Sequence, residues 1–406
     1  VKNNYEIIVV GGGVVGVSTA INLQKAGRNV LLLDKRGIAK ETSHGNSGVI
    51  DAAYALPFAP PKIRDIPSIL LGRIPAARIR FPDGLKTLPW VLDYYRNSLK
   101  VKRYQSGVSI RPLLENAVEE HKALLKDTAG LKYLKKTSRA KLYRCEESFK
   151  AANVELELLR SFAVDCNIMN ASEFSEIEPD IKPAYHAVIT SDSGGRYTNP
   201  QKAIEAMAQG FVEQGGSIEF EEVQSLEKKE CWLVNNKYKA KEVVVCTGPW
   251  TNELLKPLGY RFPMAMKRGY HQHFKSSASI NHALIDADTG FLICPMEQGI
   301  RITTGVEFAD RDSPPNPIQI SQVLPRAREL VELHEAIDEP WLGSRPCMAD
   351  SLPVVGESRK HKGLWFNFGH GHIGLAIGPS TGRLVTQMIL TQKPFCDPEP
   401  YSPYRF

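Results

Sequence analysis

The sequence predicts an α/β nucleotide-binding domain joined to an α+β domain with an antiparallel sheet. Three observations carry this expectation. Residues 5–10 (YEIIVV) and 30–33 (VLLL) are short continuous apolar runs on either side of a glycine-rich turn and an apolar helical stretch, a βαβ opening with buried parallel strands. Residues 261–310 alternate between apolar and polar as half-buried antiparallel strands do. Near the end of the chain, 363–368 (GLWFNF) reads as a last buried strand and 379–391 as a last helix.

Between these landmarks, residues 14–26 form the first helix, with Gly27 placed to end it. Residues 51–110 change character: prolines at 57, 60, 61, 67, 75, 82 and 89 predict loops and short helices rather than any long one. A surface helix is expected over 111–129. Another is expected over 197–214, starting after Asn199-Pro200, since proline suits the first helical turn. Residues 217–223, 231–234 and 243–247 (VVVCT) read as strands.

The chain has 406 residues, 42% of them hydrophobic, enough for two or three domains with a large core. A net charge of +6 does not by itself imply a nucleic-acid partner. The charge is unevenly spread, however. Residues 62–103 hold ten Lys/Arg against three Asp, so this segment is +7 and the remainder is close to neutral. The seven cysteines form no CxxC pair, which removes the zinc-ribbon and thioredoxin-like readings and fits reduced cytosolic thiols; no metal site is expected. No apolar run approaches the roughly 20 residues that span a bilayer, and no signal-peptide pattern is expected at the start.

The turn after the first strand is Gly11-Gly12-Gly13-Val14-Val15-Gly16. Gly11 permits the tight turn, Gly13 lets the backbone approach a pyrophosphate, and Gly16 permits close helix–strand packing, while the helix start at Val14 and Val15 presents N–H groups to phosphate. Asp34 ends the second strand 18 residues after Gly16, where a ribose-binding carboxylate belongs, with Lys35 beside it. This is a Rossmann-like fingerprint, shared by NAD and FAD proteins. The continuation Thr42-Ser43-His44-Gly45-Asn46-Ser47-Gly48 is a small-residue loop rather than a regular βα unit, and such a loop lets a flat ring lie against the backbone.

From this loop onward the chain resembles the D-amino-acid oxidase superfamily of flavoproteins, and within it most of all the bacterial D-amino-acid dehydrogenases. The likeness extends through Tyr54-Ala55-Leu56-Pro57, 243–250 (VVVCTGPW), Gly343-Ser344-Arg345-Pro346, Asp350-Ser351-Leu352-Pro353 and Gly369-His370-Gly371-His372-Ile373-Gly374, and so covers nearly the whole length. The resemblance implies an FAD-binding domain from residues 1–50, 197–250 and 340–406, and a substrate domain from 51–196 and 251–339. It implies FAD bound by Thr42, Ser43, His44, Asn46, Ser47 and Gly48, by Thr247, Gly248 and Trp250, by the backbone of Val223 towards adenine, and by Gly371 and Gly374 at the flavin's pyrimidine end. Cys347 does not match the attachment position of relatives that hold flavin covalently, so non-covalent FAD is expected.

The same resemblance makes Arg345 the holder of an amino-acid carboxylate, which a planar two-pronged guanidinium suits. Tyr270 and Tyr54 are the hydroxyls that would share that carboxylate. His370 and His372 lie in the flavin-facing turn with roles left open, as is that of His44. The implied chemistry is oxidative deamination of a small D-amino acid or cyclic imino acid by hydride transfer from Cα to flavin. An amine oxidase of glycine or sarcosine type, an NAD-linked dehydrogenase and a non-catalytic FAD-binding subunit are the competing readings. The basic stretch interleaves Ile66, Ile69, Leu70, Leu71, Ile74, Phe81 and Trp90 with its charges. This pattern suggests peripheral contact with an anionic membrane, and with it a quinone as electron acceptor.

Overall fold

The computed structural model describes residues 3–61, 63–81, 83–137, 139–191 and 194–406. Its first sheet has eight strands. Five run parallel in the order Ser217–Phe220, Val30–Asp34, Asn4–Val10, Tyr238–Val245 and Leu364–Phe368. The first helix, Val14–Lys25, covers one face, and Gly27 follows it at φ +80°. The strand centres are wholly apolar (Ile8, Val9, Leu31, Leu32, Val244 and Val245 are fully buried) because both faces are covered.

The second sheet has ten strands and wraps around Met264–Phe274, which pairs antiparallel with Gly299–Thr303, Val306–Phe308 and Trp341–Met348. It is mostly antiparallel, as the alternation over 261–310 predicts. Two pairings are nevertheless parallel: Ala77–Ile79 with Val306–Phe308, and Arg139–Tyr143 with Ala283–Asp286. A three-stranded sheet (Val49–Ile50, Gly195–Tyr197, Leu134–Lys135) draws its strands from segments interleaved with those of the two larger sheets.

Several sequence expectations need correction. Asp83–Asn97 is a continuous 15-residue helix with Pro89 inside it. Its Trp90 and Tyr94, one turn apart, stack at 5.1 Å and are buried. Burying such side chains contributes about 1.5–3 kcal/mol each, enough to offset the roughly 3 kcal/mol cost of an interior proline. In place of one helix over 111–129 there are two, Lys100–Leu114 and Ala117–Leu125. The strand expected at 243–247 begins at Tyr238, and the last helix, Gly374–Ile389, starts five residues before the expected 379. Gly378 and Gly382 sit inside it where it meets the first helix. A Cβ at Gly382 would lie 2.9 Å from the backbone of Ser18 and Thr19, so this helix packs directly on the first one.

Candidate active site

Both sheets direct loops into one cavity of about 480 Å³, within the range of cofactor and ligand sites. It is lined by Asp34, Lys35, Glu222 and Val223, and by Gly11, Gly13, Val14 and Val15. Thr42, Ser43, Asn46 and Ser47 line it too, with Thr247, Gly248 and Trp250. Tyr54, Tyr270, Arg345, His370, Gly371, His372 and Gly374 also line it. Residues far apart in sequence therefore meet at one place.

Gly16, His44 and Gly48 do not line the cavity. A Cβ at Gly16 would lie 1.8 Å from the Gly11 carbonyl oxygen, so this glycine serves helix–strand contact. Gly48, at φ +76°, passes close to the Tyr197 carbonyl. The His44 imidazole turns away to Gln201 (Nδ1 to Oε1, 2.5 Å) and packs near Trp341; burial lowers its pKa.

The glycine turn is held for a ligand. Asp34 accepts from the amide of Gly12 at 2.7 Å and, through its other oxygen, from Arg36 and Gly37. Ser43 Oγ accepts from the Val14 amide at 3.0 Å, tying the 42–48 loop to the first helix. Thr42 donates to the Ser344 carbonyl at 2.7 Å, and Arg301 donates to the carbonyls of His44 and Asn46 at 3.3 and 2.6 Å. Arg301 in turn donates to His273, whose other ring nitrogen bonds Asp338. The Trp341 indole lies over Gly45, where a Cβ would come within 1.8 Å of the ring. The loop thus has a bare, flat inner surface and a rigid back.

Arg345 lies against Gly269. A Cβ there would be 2.4 Å from Nη1 and 2.6 Å from Nη2, so any other residue would push the guanidinium aside. Among the described residues Arg345 enters no ion pair. Its hydrogen bonds are long ones, to the carbonyls of Arg268 (3.4 Å) and Gly305 (3.5 Å). Burial lowers its pKa. A half-buried cation beside a cavity without a carboxylate partner is arranged to receive an anion.

The Tyr270 side chain lies on the face of its strand opposite Arg345, buried in the core of the second sheet. Its hydroxyl donates to Glu307 at 2.9 Å and accepts from Arg268 and from the Asn316 amide, which uses its hydrogen-bonding capacity. It does not share an anion with Arg345, contrary to the sequence expectation. Tyr54 has Arg139 over its ring at 4.8 Å, and burial pushes its hydroxyl up to about 12. His370 bonds Thr381 at 2.9 Å, and burial pushes it down to about 3; burial also drives His372 well below the usual histidine range. Both rings are therefore neutral near pH 7.

The cavity fits FAD. The glycine turn can admit a pyrophosphate. The first turn of Gly374–Ile389 has no side-chain cap and borders the cavity through Gly374 and Leu375, so unpaired N–H groups and the helix dipole favour negative charge there. Buried Asn367 also lines the cavity, and its Oδ1 has no partner among the described residues, an acceptor that a bound group can satisfy. Residues 6–388 match the profile of the DAO family, described as FAD dependent oxidoreductase. The chain belongs to this family.

Membership in the DAO family makes it an FAD-dependent oxidoreductase. The chain is 26% identical to a D-amino-acid oxidase of Bradyrhizobium diazoefficiens over 420 residues, covering 98% of each chain. It is 26% identical over 429 residues to a D-amino acid dehydrogenase of Dechloromonas aromatica, covering 98% and 99%. Among solved structures, glycine oxidase from Geobacillus kaustophilus superposes with a TM-score of 0.76 at 20% identity over the whole of both chains. L-proline dehydrogenase from P. horikoshii gives 0.72 at 19% identity, covering 100% and 98%. These two likenesses establish the fold.

Sequence reasoning missed Trp341, Asn367 and Lys267. Asn367 lies in a strand whose apolar run reads only as core, and Trp341 stands just before the arginine motif without belonging to it. The available signal for Lys267 was a charged residue in mid-strand, within 264–274.

Proposed function

We propose that the protein oxidatively deaminates a small amino acid or cyclic imino acid of the D series, with FAD held non-covalently. The observation that carries the reading is Arg345, a half-buried guanidinium that lines the cavity without a carboxylate of its own among the described residues. In this reading residues 1–50, 197–250 and 340–406 bind FAD, and 51–196 and 251–339 form the substrate part. The strand Trp341–Met348 carries Arg345 across into the second sheet.

When bound, FAD supplies the two-electron acceptor. Arg345 holds the substrate carboxylate bidentately and fixes the direction of the Cα–H bond. Its positive charge and the buried surroundings disfavour an ammonium, so the substrate amine is held neutral. Loss of hydride from Cα of the neutral amine leaves an iminium, which water hydrolyses to an oxo acid and ammonium or, for a cyclic substrate, to a single open-chain amino oxo acid. No side chain has to take a proton from carbon, and His370 and His372, whose pKa values burial holds far below the usual histidine range, would be weak bases for that step. Tyr54 lines the cavity beside these groups. Anaerobic bleaching of the yellow protein by a D-amino acid, screened against L- and N-methyl amino acids, tests this. A protein that no amino acid bleaches overturns the reading.

The electrons then pass to a quinone. Admission of a quinone analogue to the bleached protein should restore the colour much faster than air does. Rapid peroxide formation with O₂ as sole acceptor assigns an oxidase instead.

The basic segment supports docking on an anionic membrane. Lys62 lies outside the described residues. Of the apolar residues interleaved with it, Ile69 and Trp90 are buried, a correction to the sequence reading, but Leu70, Leu71 and Phe81 are exposed. Ile63 and Val101 add to them at 75% and 69% exposure, with Leu88, Leu92 and Leu99 between. Among the described residues no helix is long and apolar enough to cross a membrane. Each basic side chain near an anionic surface contributes on the order of 1 kcal/mol, screened by salt. Co-sedimentation with anionic vesicles at low salt, reversed at high salt, is expected; its absence at low salt removes the surface role.

A further inference from the structure

Lys267 is directly opposite Arg345 in the antiparallel pairing of Met264–Phe274 with Trp341–Met348. Side chains at paired positions emerge on the same face of a sheet, so the two cations share one face. Lys267 is only 5% exposed. Its Nζ is 3.9 Å from the ring centroid of Tyr94, 5.1 Å from Trp90 and 5.9 Å from Phe308. Ring faces attract a cation but do not neutralise it, and a buried unpaired ammonium is costly. Among the described residues Lys267 enters no ion pair. Burial above all pulls its pKa below the usual lysine range.

This lysine borders a second, smaller cavity of about 30 Å³, whose walls also include Tyr54, Phe58, His370 and His372. Tyr54, His370 and His372 wall the large cavity too, so the two are adjoining chambers. One water needs roughly 10–15 Å³ measured in this way, so the small chamber has room for a group with two heavy atoms beyond its stem, such as the oxygens of a carboxylate. No carboxylate of the described chain pairs with either cation, although Lys267 is buried and Arg345 half-buried where an anion would be stabilised.

The geometry points to a substrate with two carboxylates, an amino acid of the aspartate or glutamate kind: the α-carboxylate binds Arg345, and the side-chain carboxylate enters the small chamber against Lys267. This rests on the amino-acid reading above and narrows its substrate class. The acidic side chain keeps Lys267 charged and is neutralised by it, whereas the amide isostere brings the same shape without the charge. Lys267 is then the residue that selects among substrates, and Arg345 the one that holds them all.

The test is anaerobic reduction of the holoenzyme by glutamate, glutamine, aspartate, asparagine and alanine, both enantiomers of the chiral acids, with kcat/KM taken for each. The acidic member of a pair is expected to exceed its amide by roughly 10²-fold, the scale of a hydrogen bond between charged groups. Lys267→Met should collapse that ratio towards one, and Lys267→Arg should retain part of it. The ratio is internal to each protein, so a general loss of activity in a variant does not disturb it, and the native ratio stands even where a variant fails to fold. An acid-to-amide ratio within threefold in the native enzyme, with alanine or glutamine turned over, overturns the inference and leaves the amino-acid reading in place. An unchanged ratio in Lys267→Met overturns the role of this lysine. Failure of every amino acid to reduce the protein overturns the functional reading itself.

Discussion

Arg345→Met is expected to lower kcat/KM by roughly 10²-fold or more, about 3 kcal/mol for a charge-assisted pair, while the FAD absorption spectrum stays that of the native protein. The expectation follows from how the side chain is held. Its guanidinium lies flat on Gly269, with long bonds to two backbone carbonyls and no counter-ion among the described residues. Most of its donor capacity is thus available to a ligand. Methionine fills similar volume without charge, so the cavity wall survives and the binding term is removed. Arg345→Lys should recover little, because an ammonium on a flexible stem cannot reproduce the two-pronged contact. The loss should fall on both KM and kcat, since the same contact binds the carboxylate and aims the Cα–H bond. Near-normal turnover in the methionine variant would show that the carboxylate is held elsewhere.

The parts of this site that are continuous in sequence were legible in it. The glycine turn after the first strand, the 42–48 loop and the 369–374 turn each depend on backbone that only small residues permit, so the residue types reveal the local shape. Arg345 was legible through the motif around it. What depends on contacts between distant strands was not. The register that sets Lys267 beside Arg345 is a property of the pairing, and a shift of one residue would send Lys267 to the other face. The same holds for Tyr270, whose hydroxyl is committed to Glu307, 37 residues away. His44 sits in a loop that lines the cavity, but its side chain is drawn off by Gln201 from a helix far along the chain. The prolines misled for a related reason. Pro89 argues locally against a helix, and the aromatic burial that outweighs it is visible only once Trp90 and Tyr94 meet Phe308 and the strand carrying Cys347.

Glu307→Gln should destabilise the protein by about 3–5 kcal/mol, the usual cost of leaving one partner of a buried ion pair without the other. Arg268 and Glu307 are 0% and 1% exposed and lie 3.0 Å apart. Arg268 also donates to the carbonyls of Asp310, Ser313 and Pro314, and so ties the 310–314 segment to the strand below Arg345. Glutamine keeps the shape and one acceptor but leaves the guanidinium charge uncompensated. For a chain of this length such a loss lowers the thermal midpoint by roughly 4–6 °C, read on the holoprotein with FAD in excess. The Arg268 carbonyl is one of the two that steady Arg345, so KM for the substrate should rise alongside. Removing both charges together, as Arg268→Met with Glu307→Leu, should restore much of the midpoint, because the penalty comes from the unpaired charge and not from the missing pair. A single variant that melts within 1 °C of the native protein would mean that the Tyr270 hydroxyl and the three carbonyls alone satisfy Arg268, and that Glu307 adds no net stability to this corner of the sheet.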